Sequence, residues 1–199
     1  MANHNETGSI KFHCNWIQSE AVDDKTITDI NRWRDILFKH QLIGVYPNGI
    51  GYGNISIRLR GQEFLISGTS TGHLEKLTTA HYSIVTGYDF PENHVTCKGP
   101  IKASAESLTH AAIYEMDPEI NAIIHVHSKP IWESLLNKVP TTSVEVEYGT
   151  PEMALEMKRL FNTTKLIENK ILVMAGHEEG VITFGRDLEE AGVLILSCL

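Results

Sequence analysis

His125 and His127 stand two residues apart in the run N-A-I-I-H-V-H-S over 121–128. The run is rich in β-branched residues and reads as a buried strand. Side chains alternate across a strand, so both imidazoles project from one face while Ile124 and Val126 project from the other. Two neutral imidazoles so placed can reach one ion at the ~2.0–2.1 Å that zinc takes. Chance also supplies such pairs. With 10 histidines in 199 residues, roughly half an H-x-H pair is expected, and a motif this short is weak alone. The competing reading is two core histidines with ordinary hydrogen-bond partners. Against it, two polar rings inside an apolar strand cost free energy unless something satisfies them. Glu106 also falls in the first turn of the preceding helix, a place where an acid is tolerated but would ordinarily face water.

The elements that must position these groups follow from the hydrophobic pattern. Residues 1 to about 24 are polar and uneven and read as an N-terminal arm. From Thr26 to about Ile43, Ile27, Ile30, Trp33, Ile36, Leu37 and Phe38 recur near helical spacing, and Gly44 ends the run. The segments G-Y-G-N-I-S-I-R-L and E-F-L-I-S-G read as short strands about a turn at Gly61. A helix is expected over 104–117, started by Ser104 and closed by Pro118. Helices at about 130–138 and 151–161, strands at I-L-V-M-A and G-V-I-T-F-G, and a last helix from about Asp187 complete the order. This alternation predicts an α/β architecture, a three-layer α/β/α domain over 1–199. Short turns between successive strands predict a mostly antiparallel or mixed central sheet, covered by helices.

Composition narrows the class of partner. Apolar residues make up 42% of the chain and charged residues 21%, the balance of a soluble globular domain. The formal net charge is -8, without a run of Lys or Arg. That argues against nucleic acid or an anionic membrane as the main partner. No apolar stretch approaches the ~20 residues needed to span a bilayer. Cys14, Cys97 and Cys198 are odd in number and widely spaced, which suggests reduced thiols. The first residues lack the charged-then-apolar layout of a secretory signal, so a cytoplasmic location is expected.

The order of the motifs carries more than any one of them. K-A-S-A-E (102–106), I-I-H-V-H-S (123–128) and M-A-G-H-E-E-G-V-I-T-F-G (174–185) resemble, in sequence and order, the class II aldolase/adducin family. G-Y-G-N-I-S-I-R (51–58) is similar to the family's G-N-[VI]-S strand, and F-L-I-S-G-T-S-T-G (64–72) to its F-L-I-T-P-[ST]-G loop. The resemblance spans roughly residues 27–195 and implies a class II aldolase-like fold. It also implies a Zn2+ ion, or another divalent transition metal, on His125, His127 and His177, with Glu106 beside it moving a proton. Gly53, Asn54, Thr71, Gly72 and Ser104 match positions that cradle a substrate phosphate in sugar-phosphate members. Glycines and small hydroxyl residues at such joins do expose N–H groups to an anion. The same residue types also populate any turn.

The pattern departs in three places. The family commonly has its third histidine directly before a glycine, whereas Glu178 and Glu179 intervene here, so His177 or Glu179 completes the ligand set. The family's Ser-Ser pair is Ser104-Ala105, one hydroxyl donor short. Tyrosines that help protonate the leaving carbanion in sugar-phosphate aldolases are matched by nothing in the tail, and only Tyr148 lies near the middle loop.

The implied chemistry is Lewis-acid stabilisation of an enediolate made from a small hydroxy-carbonyl sugar, sugar phosphate or hydroxy acid, with Glu106 as acid/base. It serves aldol cleavage, dehydration, decarboxylation or epimerisation, and Glu rather than Asp at 106 leans toward an aldolase or dehydratase. The resemblance implies a metal-dependent lyase of carbohydrate metabolism, assembled as a homotetramer. A non-catalytic adducin-like binding module is the rival from a different class.

Overall fold

The computed structural model describes residues 12–199. Eight strands form one sheet in the order β1-β7-β6-β5-β4-β8-β10-β9. These are β1 (His13–Gln18), β4 (Asn54–Arg58), β5 (Phe64–Ser67), β6 (Tyr82–Asp89), β7 (His94–Gly99), β8 (Ala122–His127), β9 (Ile171–Val173) and β10 (Gly180–Gly185). Among the described residues only β1 and β7 run parallel; every other neighbouring pair in this sheet is antiparallel. β2 (Gly44–Val45) and β3 (Gly51–Tyr52) form a separate two-stranded ribbon. The helices are α1 (Asp24–Lys39), α2 (Ser107–Met116), α3 (Lys129–Leu135), α4 (Pro151–Thr163), α5 (Leu166–Asn169) and α6 (Leu188–Leu196).

Two apolar layers sit on the sheet's two faces. On one, Leu108, Ala111 and Ala112 of α2 and Met153, Met157 and Leu160 of α4 meet Ile123, Ile182 and Phe184. On the other, Ile30, Trp33 and Leu37 of α1 and Ala191 and Ile195 of α6 meet Ile55, Ile124 and Val126. The expected three-layer α/β/α arrangement with a mostly antiparallel sheet is the one found. Alternation along β8 puts Ile124 and Val126 under α1 and α6, and the histidines on the opposite face.

Three expectations about elements need correction. The polar start is not all arm: His13–Gln18 pairs in register with His94–Gly99 as an edge strand, while residues 1–11 lie outside the described residues. An edge strand needs only one apolar side, which its sequence hides. α1 stops at Lys39, not Ile43, because Gln41 takes a left-handed conformation (φ 57°). The segment beginning at Gly51 is two strands rather than one. Gly53 breaks it at φ 74°, where an added Cβ would lie 2.8 Å from Ile43 and 3.0 Å from the His125 carbonyl. That break turns β3 toward the ribbon and leaves Asn54 beside His125 in the register of β4 on β8.

A polar cluster is sealed within the α2 layer. His110 Nδ1 lies 2.7 Å from Ser56 Oγ, which in turn lies 2.8 Å from the Tyr114 hydroxyl, and all three residues are buried. Burial pushes the His110 imidazole down from 6.5 to about 3. The folded chain therefore holds His110 neutral where the unfolded chain protonates it. Between those two values the unfolded state binds the extra proton, so stability falls as pH drops from 6.5 toward 3. One such group contributes a slope of about 1.4 kcal/mol per pH unit within the window. Urea unfolding of metal-free His110→Gln at pH 5 and pH 7 should show a pH dependence shallower than wild type by about that slope. An unchanged slope would assign the acid sensitivity to other groups.

Candidate active site

The end of β8 opens into a cleft of about 400 Å³ between the ribbon, the β5 loop, the start of α2 and the turn before β10. His125 and His127 enter from β8, both buried, and His177 comes from the turn before β10. One ligand-capable nitrogen from each ring lies within 4.8 Å of the others. His127 Nε2 and His177 Nε2 meet at 3.0 Å. His125 Nε2 is buried with no hydrogen-bond partner. A buried ring nitrogen left unpaired is costly unless something takes its lone pair. Burial, then the neighbouring His127 and His177, hold His125 well below its usual range, and burial brings His127 down to about 4. Neutral imidazoles are the form that binds a metal. The three residues thus fit a divalent cation by position, the β8 pair also by its neutral state, and His125 by an unmet valence. Gly180 leaves them room: a Cβ there would lie 2.9 Å from His177 Cδ2 and 3.2 Å from His125 Nε2.

Glu106 sits at the cap of α2, one residue before its first turn, and is buried against the cluster. Thr109 Oγ1 donates to Glu106 Oε2 at 3.0 Å, and Oε1 lies 4.0 Å from His177 Nε2. The carboxylate is therefore beside the histidines without being hydrogen-bonded to that nitrogen. The positive end of the helix dipole faces it.

The residues matched to an anion cradle divide. Gly53, Asn54, Thr71 and Ser104 line the cleft. Gly72 does not; its role is close packing, since a Cβ would fall 2.1 Å from the Gly44 carbonyl oxygen. Asn54 Nδ2 lies 3.3 Å from His125 Nδ1, so this side chain bears on a histidine. Thr71 spends its hydroxyl on the Gly68 carbonyl. The Thr71 and Gly72 carbonyls are held by Arg34, a fully buried guanidinium on α1 that also binds the Glu75 carbonyl. What the loop offers a ligand is Thr69, Ser70 and backbone N–H groups, with Ser70 in a left-handed conformation at φ 58°. Ser104 accepts the Glu106 N–H at 3.3 Å.

Of the aromatic wall, sequence reading noted Tyr148 and passed over Tyr46 and Tyr52. Tyr148 lies with its ring centroid 4.2 Å from that of His177. Tyr52 stacks on His127 at 5.5 Å, and Tyr46 packs on Tyr52 at 4.5 Å. The Tyr46 hydroxyl donates to Glu179 Oε2 at 2.5 Å and lies 2.8 Å from His127 Nδ1. Burial first, then that carboxylate, raises the Tyr46 phenol, which keeps its proton. Glu179 is thus held by Tyr46, while His177 is the residue grouped with the β8 pair. His73, which follows the anion loop in sequence, is exposed and outside the cleft lining.

Residues 48–198 match the family of the class II aldolase and adducin N-terminal domain. The chain is 28% identical over 161 residues to the 3-oxo-tetronate 4-phosphate decarboxylase of Haemophilus influenzae, covering 71% of this chain and 70% of that one. It is 29% identical over 103 residues to the methylthioribulose-1-phosphate dehydratase of Marinobacter nauticus, covering 47% of each. Its fold is similar to that of L-fuculose-1-phosphate aldolase from Thermus thermophilus, with a TM-score of 0.59 at 22% identity over 84% of this chain and 86% of that one. Among the described residues no helix is long and apolar enough to cross a membrane.

Proposed function

The chain belongs to the class II aldolase and adducin family, and from that membership we propose that it is a divalent-metal-dependent lyase of small hydroxy-carbonyl sugars, free or phosphorylated. The observation that carries the proposal is the convergence of His125, His127 and His177 on one point, with His125 Nε2 buried and unpaired and Glu106 alongside. A zinc-like cation held there would act as a Lewis acid toward carbonyl and hydroxyl oxygens and stabilise negative charge as an enediolate develops. Glu106 takes or returns the proton, placed for it by Thr109 and the end of α2. Tyr148, against His177, stands where a phenol can hand a proton to a leaving carbanion. Thr69, Ser70 and Ser104, with neighbouring N–H groups, receive the anionic end of the substrate. Tyr52 and Tyr46 close the wall behind His127 and exclude water.

Aldol cleavage is the reaction proposed first. Decarboxylation is the second reading, favoured by the 28% identity to a decarboxylase over 70% of its length. Both begin by breaking a carbon–carbon bond next to a carbonyl. An adducin-like binding module without turnover is disfavoured, because it has no use for a buried acid beside three convergent imidazoles. We further propose a cytoplasmic homotetramer in which a neighbouring copy completes the cleft.

The test pairs elemental analysis with a substrate screen. Purified protein should hold about one zinc-like ion per chain. The metal-loaded form should cleave at least one member of a panel of ketose phosphates, free ketoses and 3-oxo acids, and lose that activity on chelation. Protein that takes up no added metal and stays inert to the whole panel would return the binding-module reading. Sedimentation of an active monomer would remove the tetramer.

A further inference from the structure

We infer that Glu179, acting through Tyr46, fixes His127 in the Nδ1–H tautomer and so aims the lone pair of its Nε2 into the histidine cluster. The inference rests on the metal-site reading above for its purpose, and on three hydrogen-bonding groups for its content.

A carboxylate has no proton to give, so in the Tyr46–Glu179 contact the phenol must donate. Its single O–H is thereby committed to Glu179 Oε2 at 2.5 Å. Toward His127 Nδ1, at 2.8 Å, the Tyr46 oxygen can then only accept. Nδ1 must therefore carry the ring proton, and Nε2 must carry the lone pair. That nitrogen is the one facing His177 Nε2 at 3.0 Å. The relay thus decides, without any metal present, which nitrogen of His127 is the donor and which is free to ligate.

Both ends of the relay are anchored. Tyr46 N donates to the Ile50 carbonyl and Gly49 N to the Tyr46 carbonyl, which closes the turn between β2 and β3. Glu179 carries φ 69° and accepts the Ser128 N–H on its carbonyl at 3.0 Å. A left-handed backbone is unfavourable for a Glu, so the surrounding turn must hold it there. The two-residue extension G-H-E-E-G places that residue where its side chain reaches Tyr46, 133 positions earlier. Glu179 thereby acquires a job other than ligation. Glu179 supports a ligand from behind, and Tyr46 passes the support on; both are positioning residues.

The test reads the tautomer directly. Long-range proton–nitrogen NMR of metal-free protein labelled at histidine should show His127 as the Nδ1–H form in wild type. Tyr46→Phe and Glu179→Gln should each shift it toward a tautomer mixture, with unchanged thermal midpoints showing that both fold. Zinc affinity, measured by competition with a chromophoric chelator, should fall by ~10–100-fold in each variant, the usual effect of removing support behind a ligating histidine. The double variant should bind no more weakly than the weaker single, because both act through one bond. An Nε2–H His127 in the wild type, or variants that bind zinc as tightly as wild type, would overturn the inference. A wild type that takes up no zinc removes the metal reading instead, and the nitrogen spectra then judge the tautomer alone.

Discussion

Glu106→Gln should lower turnover by ~10²–10⁴-fold, the usual worth of a positioned acid/base, while the protein keeps its metal. The substitution preserves shape, and the amide oxygen can still accept from Thr109 Oγ1, now 3.0 Å from the carboxylate. What is lost is the ability to take up and release a proton. The carboxylate lies 4.0 Å from His177 Nε2 and is not grouped with the three imidazoles, so metal content should remain near one per chain. The defect should appear equally in kcat and kcat/KM, because the missing interaction belongs to the transition state. An undiminished rate would make Glu106 a structural neighbour and send the search for the base to Tyr148 or Glu178. Loss of the metal would make it a ligand first.

The ease of nominating Glu106 contrasts with what else holds the site. β8 was legible because I-I-H-V-H alternates two polar rings with apolar residues, and a period of two leaves one geometry. His177 lies 50 residues from His127 and has no spacing signal; the order of motifs nominated it, and the fold brings it to 3.0 Å. β1 escaped because H-C-N-W-I-Q shows weak alternation and its partner β7 lies some 80 residues on, in the one parallel pair among the described strands. Arg34 falls on the apolar face of α1, four residues after Ile30 and three before Leu37, but its charge masks that it is fully buried and holds the loop at Thr71 and Gly72 through backbone carbonyls. Hydrogen bonds to carbonyls carry no residue code, so no pattern announces them. Tyr46 was hidden for the same reason as His177, without a family motif to compensate. Local period was readable; long-range hydrogen bonding was not.

That contrast sharpens the choice of third ligand, which sequence left between His177 and Glu179. The two nitrogens of an imidazole point away from one another, and Glu179 is held through Tyr46 on the Nδ1 side of His127, while His177 stands on the Nε2 side. One ring thus separates the Tyr46-bound carboxylate from the point where the imidazoles converge. His177→Ala should leave two ligands, and two are too few to hold zinc against dialysis with a mild chelator. His125→Ala and His127→Ala should strip the site likewise. Glu179→Gln should keep the ion, weakened only by the ~10–100-fold expected of a group acting through a ligand. Metal content of the four variants, measured after identical dialysis, separates the roles. If Glu179→Gln came out empty and His177→Ala retained a full complement, the carboxylate would be the ligand. Tyr46 would then have to release it, and the relay behind His127 would be a feature of the metal-free protein alone.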